Sequence, residues 1–381
     1  MIYNTAPRVK WFHKLYEINW LLPVLIGLIG LVGVVMIFAA TEGVWNHGAQ
    51  QHLIRLILAG MMMLVIALID IKVWYSLAYP VYFMCLLLLV SVDIFGIHVN
   101  GAKRWLDFGV MRLQPSELMK PAIALALARF YHDLPRWRIS HVSGLLGATL
   151  IIFIPTLCVL RQPDLGTSIL LFATGGVMVF IAGVDWRVIT GGIISAAITI
   201  PLFLRFGLKD YQRARLLTFF DPERDPTGAS YHIIQSKIAL GSGGFSGKGF
   251  MQGTQRQLEY VPENSTDFIF TVIGEEFGFV GGVATMGLYG GLILLCLWLS
   301  YQCRHMFSRL LIIGITATFS FYIFINMAMV MGMAPVVGVP LPLISYGGTV
   351  ILTVMAGFGL ILSAHLHRAT ELPRGGSEKA S

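Results

Sequence analysis

Long apolar runs separated by short polar segments dominate the chain. They fall at 19–40, 53–71, 74–96, 116–132, 142–160, 165–184, 187–206, 267–300, 308–332 and 346–366. Crossing the hydrocarbon core takes about 20 mostly apolar residues. The pattern therefore predicts an all-α, polytopic membrane protein with about ten transmembrane helices. The run at 116–132 departs furthest from a lipid-facing span, because it is short and contains Glu117 and Lys120. The run at 267–300 is too long for one straight span, and Gly278, Gly281 and Gly282 are the expected place for a bend. One long polar stretch, 207–266, separates spans seven and eight as a large outer loop. Residues 1–368 read as a single membrane domain and 369–381 as a polar, disordered tail.

Composition agrees with this pattern. Of the 381 residues 56% are hydrophobic and 12% charged, and the mean hydropathy is +0.74. Soluble domains carry about 25% charged residues, so the surplus apolar surface must face lipid. Arg8, Lys10 and Lys14 precede the first run, which ends without a small-residue cleavage site and reads as an uncleaved span. Basic residues in short loops set the orientation. With the N-terminus inside, Lys72, Arg129, Arg136, Arg138, Arg187, Arg304, Arg309 and Arg368 are all internal, and outer loops 41–51 and 333–345 hold no lysine or arginine. Both termini are then cytoplasmic. The four cysteines, Cys85, Cys158, Cys296 and Cys303, form no CxxC and imply neither a disulfide framework nor a zinc site.

Three outer segments are basic despite the rule. Residues 97–115 hold Lys103, Arg104 and Arg112, the turn near 161–164 holds Arg161, and 207–266 holds Arg213, Arg215, Lys237 and Lys248 among others. Such clusters are either solvated loops or an anion site at the outer leaflet, since guanidinium and ammonium groups suit phosphate oxygens. In Arg112-Leu-Gln114-Pro115-Ser116-Glu117-Leu-Met-Lys120 the proline suits a first helical turn, and Glu117 and Lys120 share a face. A buried pair there is either self-neutralising or the mark of a polar site. Asp164, in Gln162-Pro163-Asp164-Leu-Gly-Thr-Ser, opens a span and has helix capping as its plain role. Asp267 sits where polar loop meets apolar helix, with capping as the plain role and general base as the chemical one. Glu275 and Glu276 are expected to face the bundle interior. The cluster Gly241-Ser-Gly-Gly-Phe-Ser-Gly-Lys248-Gly249 fails the nucleotide P-loop pattern and is expected to allow tight turns and close approach to a ligand. The Pro/Gly-rich stretch 332–348 is expected to be a rigid re-entrant or surface loop lining a cavity.

Taken together, QPSE-x-x-K, QPDLGTS, GSGG-x-x-GKG, VPENSTDFIF-x-x-x-GEE-x-G and P-x-x-G-x-PLPLISYGG resemble the SEDS family (shape, elongation, division and sporulation). The resemblance runs from about residue 15 to 368, and the text GASYHIIQSKIALGSGGFSGKGF resembles the elongation-type members. Val261 and Asn264-Ser265 depart mildly from the usual residues. The resemblance implies ten spans, an inner-membrane glycosyltransferase polymerising lipid II into a nascent glycan strand, and a class B penicillin-binding protein as transpeptidase partner alongside other elongation proteins. It places the catalytic aspartate on Asp267 and other sensitive positions on Arg112, Gln114, Glu117, Lys120 and Asp164. Arg112, Arg213, Arg215 and Lys248 are candidates to steady the leaving pyrophosphate. No nucleic-acid partner is expected. No cofactor or metal-ligand cluster is legible, although a divalent cation would suit a pyrophosphate leaving group.

Three other readings stay open at this stage: the division-type member of the same family, a flippase for lipid-linked precursor, and a non-catalytic scaffold. A flippase wants ionisable groups along a path through the midplane. A transferase wants its base at one membrane face.

Overall fold

A computed structural model describes residues 11–41, 45, 47–99, 102–107, 109, 112–188, 190–192, 194–195, 197–198, 229–253 and 266–373. The helices are α1 (Trp11–Glu17), α2 (Leu21–Ala40), α3 (His47–Leu68), α4 (Ile71–Phe95), α5 (Pro115–Asp133), α6 (Val142–Arg161), α7 (Leu165–Ile181), α8 (Ala229–Ser242), α9 (Ile269–Gln302), α10 (Met306–Val330) and α11 (Gly348–Leu366). Each predicted run other than 187–206 is a helix; the described residues of 187–206 are helical too, but that run falls partly, and Arg213 and Arg215 wholly, outside the described residues. Among the described residues 7 helices are long and apolar enough to cross a membrane, with Leu165–Ile181 a shorter apolar helix. The chain is a multi-pass helical membrane protein. Leu28, Leu31, Leu87, Leu294 and Trp298 stand exposed on its outer surface, as lipid contact requires.

Helix α5 explains its own weak signal. Except for Leu118 and Pro121, every residue from Pro115 to Ala128 is buried, and the helix packs against α4, α6, α7 and α10. Its polar residues face protein instead of lipid, so its hydropathy is low while its position is central.

Two segments differ from expectation. The stretch after α4 is a small antiparallel sheet, β1 (Ile97–Val99), β2 (Ala102–Asp107) and β3 (Arg112–Leu113), with Leu106 opposite Leu113 and Asp107 opposite Arg112. Its strands are too short and charged to stand out in an apolar sequence. Helix α3 also begins earlier than the apolar run, because the polar turn His47–Gln51 is helical.

The expected bend in α9 is at Gly278, whose backbone (φ 63, ψ −155) lies in a region open essentially only to glycine. The stretch 332–348 is re-entrant and packed, with Val339, Leu341, Leu343 and Ile344 all buried. Tyr289 donates its hydroxyl to the Pro342 carbonyl (2.5 Å) and His52 Nε2 donates to the Leu343 carbonyl (3.1 Å), so α9 and α3 hold the loop from two sides.

Candidate active site

Asp267 lies in the turn Thr266–Phe268 that leads into α9. Phe268, Ile269 and Phe270 are all buried, which draws the helix start into the bundle and leaves the half-buried Asp267 at its rim. Phe268, not Asp267, is the N-cap, and it makes no side-chain capping bond. The turn is held by its main chain. Asn326 of α10 donates Nδ2 to the Asp267 carbonyl (2.8 Å) and to the Val339 carbonyl (2.7 Å). Ser345 donates its hydroxyl to the Thr266 carbonyl (2.6 Å) and accepts from the Leu341 amide (2.8 Å). The re-entrant loop thus passes beside the carboxylate. A Cβ on Gly338 (φ 72) would lie 3.5 Å from Asp267 Oδ2.

Asp164 stands on the other side of that loop. It caps α7, accepting from the Thr167 amide (3.1 Å) and hydroxyl (3.0 Å). The plain capping role is therefore real, but the carboxylate does more. Gln114 Nε2 reaches its Oδ2 at 3.3 Å and the Arg104 guanidinium lies 4.0 Å away. Arg104 also donates to the carbonyls of Gln162 (3.1 Å) and Pro163. A Cβ on Gly166 would stand 3.2 Å from the Val337 carbonyl oxygen. The start of α7 and the start of α9 therefore grip the same loop, and both carboxylates belong to one end of the bundle.

Deeper in α5, Lys120 Nζ lies 2.6 Å from Glu117 Oε1, both residues 3% exposed. The Tyr322 hydroxyl donates to the second Glu117 oxygen and accepts from Lys120, whose ammonium also lies 4.2 Å from the Tyr322 ring centre. The three groups close a triangle with every strong polar atom engaged. The adjoining cavity is about 30 Å³ and lined mainly by apolar groups such as Ile315, Phe319 and Phe358. That is room for about one or two waters, not for a sugar.

Comparison with known proteins decides the family. The FtsW/RodA/SpoVE family model, described as cell cycle protein, matches residues 13–370. The chain belongs to the SEDS family. The chain is 46% identical over 323 residues to the peptidoglycan glycosyltransferase MrdB of Escherichia coli K12, covering 84% of this chain and 86% of that protein. It is 30% identical to the peptidoglycan glycosyltransferase RodA of Treponema pallidum (89% and 96% covered) and 35% identical to a probable FtsW of Trichlorobacter lovleyi (92% and 93%). A chain from a peptidoglycan synthase complex that coordinates polymerisation and crosslinking superposes with a TM-score of 0.81 at 31% identity, covering 93% of this chain and 99% of that one. The rod shape determining protein RodA of Thermus thermophilus superposes with 0.71 at 28% identity (93% and 98%).

In this SEDS chain the glycine-rich loop packs against the bend in α9. The bend at Gly278 breaks the helical bonds that would join the carbonyls of Glu275 and Glu276 to the amides of Phe279 and Val280. The loop supplies all four replacements. Lys248 and Gly249 donate their amides to the carbonyls of Glu275 and Glu276 (3.0 Å each), and Phe279 and Val280 donate to the carbonyls of Gly244 (2.9 Å) and Phe245 (3.1 Å). Contact is backbone to backbone: a Cβ on Gly247 would fall 2.1 Å from the Glu276 carbonyl oxygen. The Lys248 ammonium is paired with the buried Glu275 at 2.6 Å. Arg112 is exposed. Its side chain is 61% exposed, 3.5 Å from Asp107, while its carbonyl accepts from Thr349.

Sequence reasoning missed Arg55 of α3. Its guanidinium lies 4.8 Å from the Tyr346 ring centre and donates to Gln51 (3.1 Å), which also accepts from the Tyr346 hydroxyl (2.6 Å). A lone arginine inside an apolar run was the signal available.

Proposed function

We propose that this chain polymerises lipid II into β-1,4-linked glycan for cell elongation, at the outer face of the bacterial inner membrane. The observation that carries the reading is Asp267, a half-buried carboxylate at one rim of a membrane bundle, with its main chain clamped by Asn326 and its neighbour Thr266 by Ser345. Fixed placement is what a general base needs.

The reaction is a single inverting displacement. Asp267 takes the proton of the acceptor sugar 4-hydroxyl. The hydroxyl oxygen bonds to the donor anomeric carbon from the face opposite the phosphate. The C–O bond to phosphate breaks, and its electron pair leaves with undecaprenyl pyrophosphate. No second carboxylate nucleophile is needed for inversion. Arg112 is the exposed cation at this rim suited to the developing pyrophosphate charge, with Arg213 and Arg215 assigned the same task. Gln114 and Asp164 hold the α5 and α7 ends together beside the acceptor. Both termini are assigned to the cytoplasm and Asp267 to the periplasmic face; in support, Arg129 and Arg309 lie within, and Arg304 and Arg368 just beyond, the helix ends far from Asp267. A class B penicillin-binding protein crosslinks the product. A flippase reading is disfavoured by the closed Glu117–Lys120–Tyr322 triangle and the small cavity beside it.

Purified protein given only labelled lipid II should make glycan. Asp267→Asn should lower the rate by about 10²–10⁴-fold with the protein still folded. Undiminished polymerisation by that variant would remove Asp267 from the chemistry.

A further inference from the structure

A second cavity, of about 770 Å³, opens at the end of the bundle opposite Asp267. It lies where α5 and α7 finish and α10 begins. Asn326, which holds Asp267, is near the other end of α10 from the cavity-lining Met306. That stretch of helix is about 30 Å long at 1.5 Å per residue, the thickness of a bilayer core. The cavity is therefore separate from the site around Asp267, and nothing about it depends on which residue is the base.

Its lining is unusual in charge. Arg136 enters from the 3₁₀ turn Arg136–Arg138, and Arg304 and Arg309 from the α9–α10 junction. Among the described residues none of these three arginines is in an ion pair. The one carboxylate in the lining, Asp133, is already engaged by Arg129 (3.6 Å) and by the Tyr75 hydroxyl. Three uncompensated guanidiniums around one cavity call for an anion with several oxygens, and phosphate is the natural match.

The setting selects the source of that phosphate. Ile139, Ile181 and Ile313 line the same cavity, so half of its wall is apolar. Trp137, next to Arg136, and Trp186, just beyond the end of α7, are each 68% exposed, which places this rim at headgroup level. Basic pockets between transmembrane helices at that level suit anionic lipid headgroups. We propose that this cavity binds the headgroup phosphate of an anionic glycerophospholipid from the adjacent leaflet.

Native mass spectrometry of the full-length protein, exchanged into mixed micelles of phosphatidylglycerol and phosphatidylcholine, tests the proposal. The wild type should retain phosphatidylglycerol in preference. Arg136→Gln/Arg304→Gln/Arg309→Gln should reduce that preference by about tenfold or more, and each single variant should reduce it in part. Arg138→Gln, whose guanidinium lies on Trp137 outside the cavity, should keep it. Single variants guard against a triple variant that fails to fold. Equal preference in wild type and all arginine variants would overturn the site. Displacement of the lipid by millimolar inorganic pyrophosphate would overturn the lipid assignment in favour of a soluble phosphate ligand.

Discussion

Asn326 on α10 donates one amide to two carbonyls, those of Asp267 (2.8 Å) and Val339 (2.7 Å). It is fully buried and ties the start of α9 to the re-entrant loop. The side chain acts through the main chain of Asp267, as a positioning residue. Asn326→Ala should therefore lower kcat by about 10–100-fold, in line with the cost of misplacing a reacting group by an ångström, with KM for lipid II little changed. A fall in apparent affinity at constant kcat would instead make Asn326 part of substrate binding.

Gly278→Ala should destabilise the protein by roughly 1–3 kcal/mol from backbone strain alone. The added Cβ would also meet the Gly247 amide nitrogen at 2.3 Å, in backbone that has no freedom to yield. Lower thermal stability and lower yield of monodisperse protein in detergent are expected. Wild-type melting of this variant would mean that the two halves of α9 do not need their bend.

The buried Glu117–Lys120 pair separates stability from activity. Lys120→Met leaves Glu117 buried without its cation and should cost about 3–5 kcal/mol. Adding Glu117→Gln should recover most of that loss, because both charges are then gone. Polymerisation should stay lost in the double variant, which lacks the polar triangle beside the site. A double variant as unstable as the single would show that packing, not charge, is at stake.

His367 lies just past α11, donating Nδ1 to the Ser363 carbonyl (2.9 Å) and accepting at Nε2 from Lys14 (3.0 Å). Burial, with the nearby Lys14 charge, holds its pKa below the ordinary 6.5. The folded state thus favours neutral imidazole, and the unfolded chain binds the proton more readily. Stability from this group is complete above about pH 6.5 and declines as pH falls below it. Melting temperatures between pH 5 and 8 should show a shallower acid-side decline in His367→Gln than in the wild type. Identical declines would acquit His367.

The apolar runs were enough to locate the helices, since a lipid-facing helix announces itself by length and hydropathy. Glu117 and Lys120 could be placed on one face by spacing, and the bend in α9 by its glycines. What remained hidden were partners from distant parts of the chain. Nothing near Glu117 names Tyr322, and nothing near Asp267 names Asn326 or Ser345. Nothing near Lys248 names Glu275. The orphaned carbonyls of Glu275 and Glu276, met by the amides of Lys248 and Gly249, exist only once α9 has bent. Arg55 was passed over because an apolar run drew attention to its length and away from its one charge.

The exchange of four main-chain bonds between residues 244–249 and α9 also sets what homologous parts are interchangeable. The four bonds themselves are main chain to main chain, so sequence drift is tolerated where the glycines, the break and the Lys248–Glu275 pair stay in register. A graft of the loop alone, from a relative whose break sits one residue away, would meet amides and carbonyls pointing elsewhere. Loop and bent helix form one cassette, to be transplanted whole or not at all.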